Sequence, residues 1–237
     1  MEKYNLLKDE FSLTNEQINK FVQYASLLKE WNKKFNLTAI DNDRDIIIKH
    51  FYDSLLCTKA WTDFSGKKLI DIGTGGGFPG LPLKILNPDL DVTLCDSLFK
   101  RITFLNEVIA NLELEKTTTL HGRAEDLGKD ISHRENYDLV TARAVAKLPI
   151  LLELCLPLIK VGGVFIALKG PEVQSELQES QYALNLLGGE VIDIKEFKLK
   201  EIDEQRTIVL FKKSFPTPSK YPRKAGIPQK RMLVEMR

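Results

Sequence analysis

Lys68-Leu69-Ile70-Asp71-Ile72-Gly73-Thr74-Gly75-Gly76-Gly77-Phe78-Pro79-Gly80 decides how the rest of the chain reads. The branched apolar residues up to Ile72 predict a buried strand, and the glycines at 73, 75 and 77 leave backbone bare where it must approach a ligand. Further on, a second apolar run, Val92-Thr93-Leu94-Cys95, ends at Asp96, where a carboxylate accepts both hydroxyls of a ribose. Glycines alone would predict only a turn. A strand, a glycine loop and a second strand ending in an acid predict a nucleoside site.

Two registers compete for that loop. Gly75 to Gly80 satisfies the dinucleotide pattern G-x-G-x-x-G, in which free N–H groups at a helix N-terminus face a pyrophosphate. Here Pro79 lacks that donor, Phe78 puts a ring at the turn, and the first glycine falls late after Ile72. The register D-x-G-x-G-x-G starts at Asp71 itself and fits the strand end better. It is the S-adenosylmethionine register, with Asp71 organising the loop and the amino-acid end of the cofactor.

The chain has 237 residues, of which 43% are hydrophobic, enough to bury a sizeable core in one domain with a small extension. No leader pattern and no long apolar run occur, which predicts a soluble, cytoplasmic protein away from membranes. Cys57, Cys95 and Cys155 lie far apart among apolar neighbours, and His50, His121 and His133 are scattered, so neither a disulfide framework nor a metal site is expected.

Thr14-Asn15-Glu16-Gln17 forms a capping box, after which Phe21, Tyr24, Leu28, Trp31 and Phe35 recur at helical spacing; Ile48, Phe51 and Leu55 continue the pattern. Residues 1–62 therefore read as a helical cap and 63–213 as the main domain. Strands are expected near 68–72, 91–95, 117–121, 137–142 and 163–168, with helices near 78–86, 100–112, 147–159 and 172–187. Such alternation builds a parallel sheet with ligands outside the carboxyl ends of its strands. Glu190–Lys198 and Arg206–Lys213, joined by a short polar link, must pair antiparallel. The expected fold is α/β, Rossmann-like: seven strands, mostly parallel, with a C-terminal antiparallel hairpin and an N-terminal helical cap.

Net charge is +1, yet residues 212–237 hold eight Lys/Arg and one acid, which makes that tail +7 and the remainder −6. Residues 214–237 read as a basic arm that packs no core. It suits phosphate contact through Lys220, Arg223 and Lys224, with Tyr221 available for stacking, or it serves only as a solubilising terminus. At the strand ends, Arg123-Ala124-Glu125 could read the edge of an adenine, or Glu125 could simply favour a helix N-terminus. Arg143, in Thr141-Ala142-Arg143-Ala144, is costly to bury unpaired and is a candidate for orienting cofactor or phosphate. Lys169 reads equally as functional or as a surface turn.

Over nearly its whole length the chain resembles the ribosomal-RNA small-subunit methyltransferase G family, also called glucose-inhibited division protein B. The motifs that carry the resemblance are Trp31-Asn32-Lys33-Lys34-Phe35-Asn36-Leu37-Thr38, Lys49-His50-Phe51-Tyr52-Asp53-Ser54-Leu55, Asp71 through Pro82, Asp96-Ser97, Lys100-Arg101, Arg123-Ala124-Glu125, Thr141-Ala142-Arg143-Ala144 and Lys220-Tyr221-Pro222-Arg223-Lys224. The resemblance implies S-adenosylmethionine-dependent methylation of N7 of one guanine in 16S rRNA, near the decoding centre. The rRNA would be met in the small ribosomal subunit or its assembly intermediate. Cofactor contacts implied by it are Gly73, Phe78, Ala124, Glu125 and Arg143, with Asp96 at the ribose; Asp71 and Gly75 join them from the loop register.

The chemistry fits what the chain lacks. Guanine N7 carries an in-plane lone pair and no proton, so it needs no general base; alignment of N7, methyl and sulfur at about 3 Å would supply the rate, worth up to roughly 7–11 kcal/mol. An exocyclic amine acceptor would bring an Asn/Asp-Pro-Pro-aromatic motif where Thr-Ala-Arg-Ala stands, and a pyrimidine carbon would want a cysteine, yet Cys155 sits in an apolar run. Lys100, Arg101, Arg123, Arg143, Lys169 and the Lys220–Lys230 segment are expected to form an RNA face, with His50 and Asp53 lining its entrance. Two other readings are a nicotinamide-dependent oxidoreductase and a noncatalytic RNA-binding assembly factor. The first lacks an acid/base pair for hydride transfer, and the second leaves a complete cofactor pocket unexplained.

Overall fold

In the computed structural model, which describes residues 2–235, the sheet has seven strands in the order β3-β2-β1-β4-β5-β7-β6. These are β1 (Lys68–Ile72), β2 (Asp91–Asp96), β3 (Thr117–His121), β4 (Tyr137–Arg143), β5 (Ile159–Lys169), β6 (Gly189–Lys198) and β7 (Gln205–Lys213). β1 to β5 run parallel and β7 is antiparallel to both β5 and β6, as the short link between the last two strands requires. The order reverses at β1, which pairs β2 on one side and β4 on the other, so a crevice opens beyond the carboxyl ends of these strands. Register then places Asp71 beside Thr141 and Asp96 beside His121 at that edge.

Two helices lead in, α1 (Asn5–Phe11) and α2 (Asn15–Phe35). The capping box of α2 is complete: Thr14 Oγ1 accepts from the Gln17 N–H at 3.2 Å, and Gln17 Oε1 accepts from the Thr14 N–H at 2.9 Å. Gln17 Nε2 donates onward to the carbonyls of Ile85 and Leu86, which end the helix α3 (Gly80–Leu86), so one side chain ties the start of α2 to the end of the glycine-loop helix. Phe21, Tyr24 and Leu28 face inward from α2 with no exposure, each worth about 1.5–3 kcal/mol of apolar burial. They share one core with Leu81, Leu94 and Phe104, so the cap covers one sheet face.

The second helical run of the cap differs from ordinary spacing. Residues 46–52 form a π-helix, Ile46–Tyr52, whose wider turn buries Ile46, Ile47 and Ile48 in succession together with His50, Phe51 and Tyr52. The helix expected to reach 159 also ends early: α6 (Leu148–Cys155) passes into a 3₁₀ turn, Leu156–Leu158, where Pro157 removes a backbone donor, and β5 starts at Ile159. Short helical turns also span Glu2–Tyr4, Asp43–Asp45, Asp53–Leu55 and Cys57–Ala60, and the other helices are α4 (Phe99–Asn111), α5 (Ala124–Leu127), α7 (Val173–Leu187) and α8 (Ile227–Lys230).

The C-terminal segment corrects the expectation of an arm without a core. Tyr221 and Leu233 are buried in the core on the opposite sheet face, with Ile70, Val140 and Leu154. Lys213, wholly buried and pushed down to about 8 by burial, donates to the carbonyls of Leu156 and Leu187 and to the Thr217 hydroxyl. Arg134 donates to the carbonyls of Thr217 and Tyr221 at 2.6 and 2.8 Å. Backbone groups that a solvated arm would leave to water are here satisfied by the body of the protein.

Candidate active site

Asp71 holds the glycine loop from below. Its Oδ2 accepts from the Thr74 hydroxyl at 2.6 Å and the Gly80 N–H at 3.0 Å, and Oδ1 accepts from the Thr141 hydroxyl at 2.9 Å. Burial pushes its carboxyl up to about 6, against the pull of those three bonds and of Arg143. At Gly73, with φ of +65°, a Cβ would meet Val145 at 2.6 Å, so only glycine closes the loop there.

Asp96 clamps the loop from β2. Its carboxylate accepts from the N–H groups of Gly75 and Leu98, each at 2.9 Å, and from Arg101 Nη1. Beyond it lies a cavity of about 280 Å³ between the ends of β1, β2 and β3, whose lining includes Gly73, Asp96, Ser97, Arg123, Ala124, Glu125, Val145 and Gln229. Cys95 also lines it, and burial pushes this thiol up to about 12, which leaves it a poor nucleophile. Cys155 is fully buried in α6.

A second cavity, of about 370 Å³, opens across Ala144, which borders both. Its lining is cationic: Lys49, Arg143, Lys169 and Arg206 surround His50 and Asp53. Arg143 reaches three partners at once. Nη1 donates to Asp53 at 2.8 Å and to the Lys49 carbonyl at 3.0 Å, and Nη2 to His50 Nδ1 at 3.2 Å. Its guanidinium sits over the Phe78 ring at 5.0 Å, and His50 stacks on the same ring at 4.3 Å. Burial first, then the Arg143 charge, push His50 down to about 3, so the imidazole is neutral. Arginine only donates, so Nδ1 is the acceptor and Nε2 carries the proton toward Thr38 Oγ1, 3.0 Å away.

The expected cofactor residues divide between these places. Gly73, Asp96, Ala124 and Glu125 line the first cavity; Asp71 and Gly75 support its loop; Phe78 is buried against Tyr24, His50 and Phe51 and lines neither cavity; Arg143 faces the second. The expected RNA residues are less uniform. Arg123 is exposed at the first cavity, and Lys224 is exposed on the C-terminal segment, as is Lys220, which lies over the Tyr221 ring. Lys100 instead caps α2 through the Phe35 carbonyl, and Arg101 is held by Asp96. Lys169 pairs with Glu176 at 2.8 Å, and Arg223 is clamped to Glu153, a carboxylate with 1% of its side chain exposed.

Arg206 escapes the sequence reading: it pairs with Asp53 at 3.1 Å from the start of β7. Glu153 and Gln229 escape it too. A lone carboxylate inside Leu148–Cys155 was the available signal for Glu153. Among the described residues, no group of three or more His, Cys, Asp or Glu is placed to hold a metal ion, and no helix is long and apolar enough to cross a membrane.

Known proteins resemble this chain in sequence and in fold. The family model described as rRNA small subunit methyltransferase G matches residues 17–209. Ribosomal RNA small subunit methyltransferase G of Acetivibrio thermocellus is 53% identical over 94% of this chain and 91% of its own, and that of Desulfitobacterium hafniense is 53% identical over 94% and 92%. Among solved structures, TYW2 of M. jannaschii in complex with AdoMet superposes with a TM-score of 0.52 at 16% identity, over 68% of this chain and 76% of that one. The YcgJ protein of Bacillus subtilis gives 0.54 at 12% identity, over 70% and 100%. These two likenesses are of fold. By its sequence and by the match of most of its length, the chain belongs to the rRNA small subunit methyltransferase G family.

Proposed function

We propose that this enzyme transfers the methyl group of S-adenosylmethionine to N7 of a guanine in 16S rRNA near the decoding centre. The donor would occupy the first cavity and the acceptor base the second. The observation that carries this reading is the state of the polar groups beside their junction at Ala144. His50 is neutral with Nδ1 engaged by Arg143 and Nε2 facing Thr38, and Asp53 is engaged by Arg143 and Arg206. An acceptor that must lose a proton would find no disengaged base there. Guanine N7 has no proton to lose, so the protein's task is to align it.

The residues of the first cavity fit the donor. Asp96 presents a carboxylate of the kind a ribose diol requires, Gly73 offers bare backbone, and Glu125 supplies a second buried acceptor. When bound, S-adenosylmethionine supplies an electrophilic methyl on a sulfonium. Asp71, Asp96 and Glu125 would give that cation a negative surrounding, and Ala144, which lines both cavities, would stand between donor and base. Lys49, Arg143, Lys169 and Arg206 each pair with a carboxylate, yet four cations against Asp53 in the lining leave the second cavity a positive surface that suits the phosphates on either side of a base turned into it. N7 lies on an edge hidden in the deep groove of paired RNA, so the target is an unpaired or opened nucleotide. Such a reaction belongs in the cytoplasm, on the small subunit or a particle assembling into it.

The test is transfer of labelled methyl from S-adenosylmethionine to undermethylated small subunits and, separately, to naked 16S rRNA, with the product base identified by mass spectrometry. N7-methylguanine at one site is the expected product. Methyl on an exocyclic amine, on a ring carbon, or on no base at all would overturn the reading.

A further inference from the structure

The C-terminal segment reaches the rim of the first cavity at Gln229, and the contacts that bring it there are specific. Arg223 is clamped to buried Glu153 three ways: its N–H and Nε donate to Oε1, each at 2.8 Å, and Nη2 donates to Oε2 at 2.6 Å. Its Nη2 also reaches the Arg231 carbonyl at 2.6 Å, bracing the turn that carries α8. Pro222 packs so closely on α5's end that a Cβ at Gly128 would meet it at 2.7 Å. Between these fixed points Gly226 donates its N–H to Glu125 Oε1 at 3.1 Å, and Gln229 enters the cavity lining beside Arg123, Ala124 and Glu125.

We infer that the segment 217–231 is a wall of the methyl donor's site, with Gln229 reading the edge of the adenine. This rests on the reading of the first cavity as the donor site. Glu125 alone only accepts hydrogen bonds, whereas an adenine edge offers an N–H donor and ring-nitrogen acceptors together. A glutamine amide carries both functions in the complementary order, and it is the group that the segment delivers to the Glu125 side of the cavity. Glu153, buried in an otherwise apolar helix, has its reason here: by holding Arg223 it fixes where α8 sits.

Calorimetric titration of S-adenosylhomocysteine and S-inosylhomocysteine into the intact protein tests the inference without any turnover. Gln229 is exposed, so Gln229→Ala leaves the fold intact; it should bind the adenine compound about 2- to 10-fold more weakly, the value of one neutral hydrogen bond. It should also lose part of the parent's preference for adenine over hypoxanthine, which a change of packing alone would not shift. Arg223→Ala should weaken the adenine compound as well. Asp96→Asn, in the same lining at the end of β2, reports on the cavity itself. Weakening by Asp96→Asn with parental affinity and preference in Gln229→Ala overturns the role of the segment and leaves the donor site standing. Parental affinity in both variants overturns the donor site, and the inference with it.

Discussion

Arg101 Nη1 donates to both carboxylate oxygens of Asp96, at 3.1 and 3.4 Å, while its buried Nε meets no partner among the described residues. The same carboxylate already accepts the N–H groups of Gly75 and Leu98, so its acceptor positions are full. A ribose diol needs two of them, and those taken by a side chain can be vacated where those taken by backbone cannot. Arg101→Ala should therefore bind S-adenosylmethionine at least as tightly as the parent in a calorimetric titration. A tenfold loss would show that Arg101 holds the donor itself. Asp96→Asn loses a charged acceptor and should weaken binding by about tenfold or more.

Asp71 carries a pH dependence whose sign is opposite to that of most carboxylates. Its folded value is about 6 against an ordinary 3.8, so the folded state holds the proton more tightly, and the stability it contributes is lost as pH rises from about 4 through 6. Asparagine removes this dependence and still satisfies the site, since its oxygen can accept from Thr74 and Gly80 while its amide faces the Thr141 hydroxyl, which can turn to accept. Alanine strands the buried Gly80 N–H, at a cost of about 1–3 kcal/mol. Denaturant unfolding at pH 4.5 and 7, on the parent and both variants, should show the parent falling relative to Asp71→Asn at the higher pH. Asp71→Ala should be the least stable at pH 7.

The frame of the site is legible in the sequence because its parts are local. The strand ending at Ile72, the loop glycines and Asp96 are set by spacing along one strand-loop-helix-strand unit, and the sheet puts them where that spacing implies. What is not legible is brought together by distant pairing. Arg206 reaches Asp53 only because β7 lies antiparallel beside β5, setting Thr207 opposite Lys169 at the edge where the second cavity opens. Charge pattern misleads for the C-terminal segment: Lys213 counts toward a basic tail and Arg223 reads as a phosphate contact, but each is used inward, on carbonyls and on Glu153. The three isoleucines from 46 to 48 fit ordinary helical spacing poorly, and a π-helix is what lets all three be buried.

The pair of half-buried Arg143 and buried Asp53 is asymmetric. Removing Asp53 leaves Arg143 with no carboxylate partner among the described residues and Arg206 with Glu204 alone, whereas removing Arg143 leaves Asp53 still matched by Arg206. Asp53→Ala should therefore destabilise by about 3–5 kcal/mol, and Arg143→Ala by clearly less, in the same unfolding assay. Arg143→Lys separates function from stability. A single ammonium cannot serve Asp53, the Lys49 carbonyl and His50 in the fork geometry that holds them, and the loss of alignment should lower methyl transfer to RNA by up to about 100-fold. S-adenosylmethionine affinity should not change, because Arg143 lines the other cavity. Equal losses in affinity and transfer would move Arg143 into the donor site.

Lys220, Lys224 and Lys230 are exposed on the C-terminal segment and pair with no acid among the described residues, unlike Lys169 and Arg223. Arg223, Arg134 and Lys213 hold the segment that carries them against the body. A fixed row of cations on single-stranded RNA releases about 0.7 counterions per contact, so each lysine adds a corresponding increment to the salt dependence. Replacing all three with alanine should weaken binding of the rRNA substrate at low salt and reduce the slope of log affinity against log salt by about 2. Thermal stability should change little, since none of the three makes an ion pair among the described residues and only Lys220 touches a ring, that of Tyr221. An unaltered slope would remove the segment from the RNA face and leave Arg123 and the second cavity to carry it.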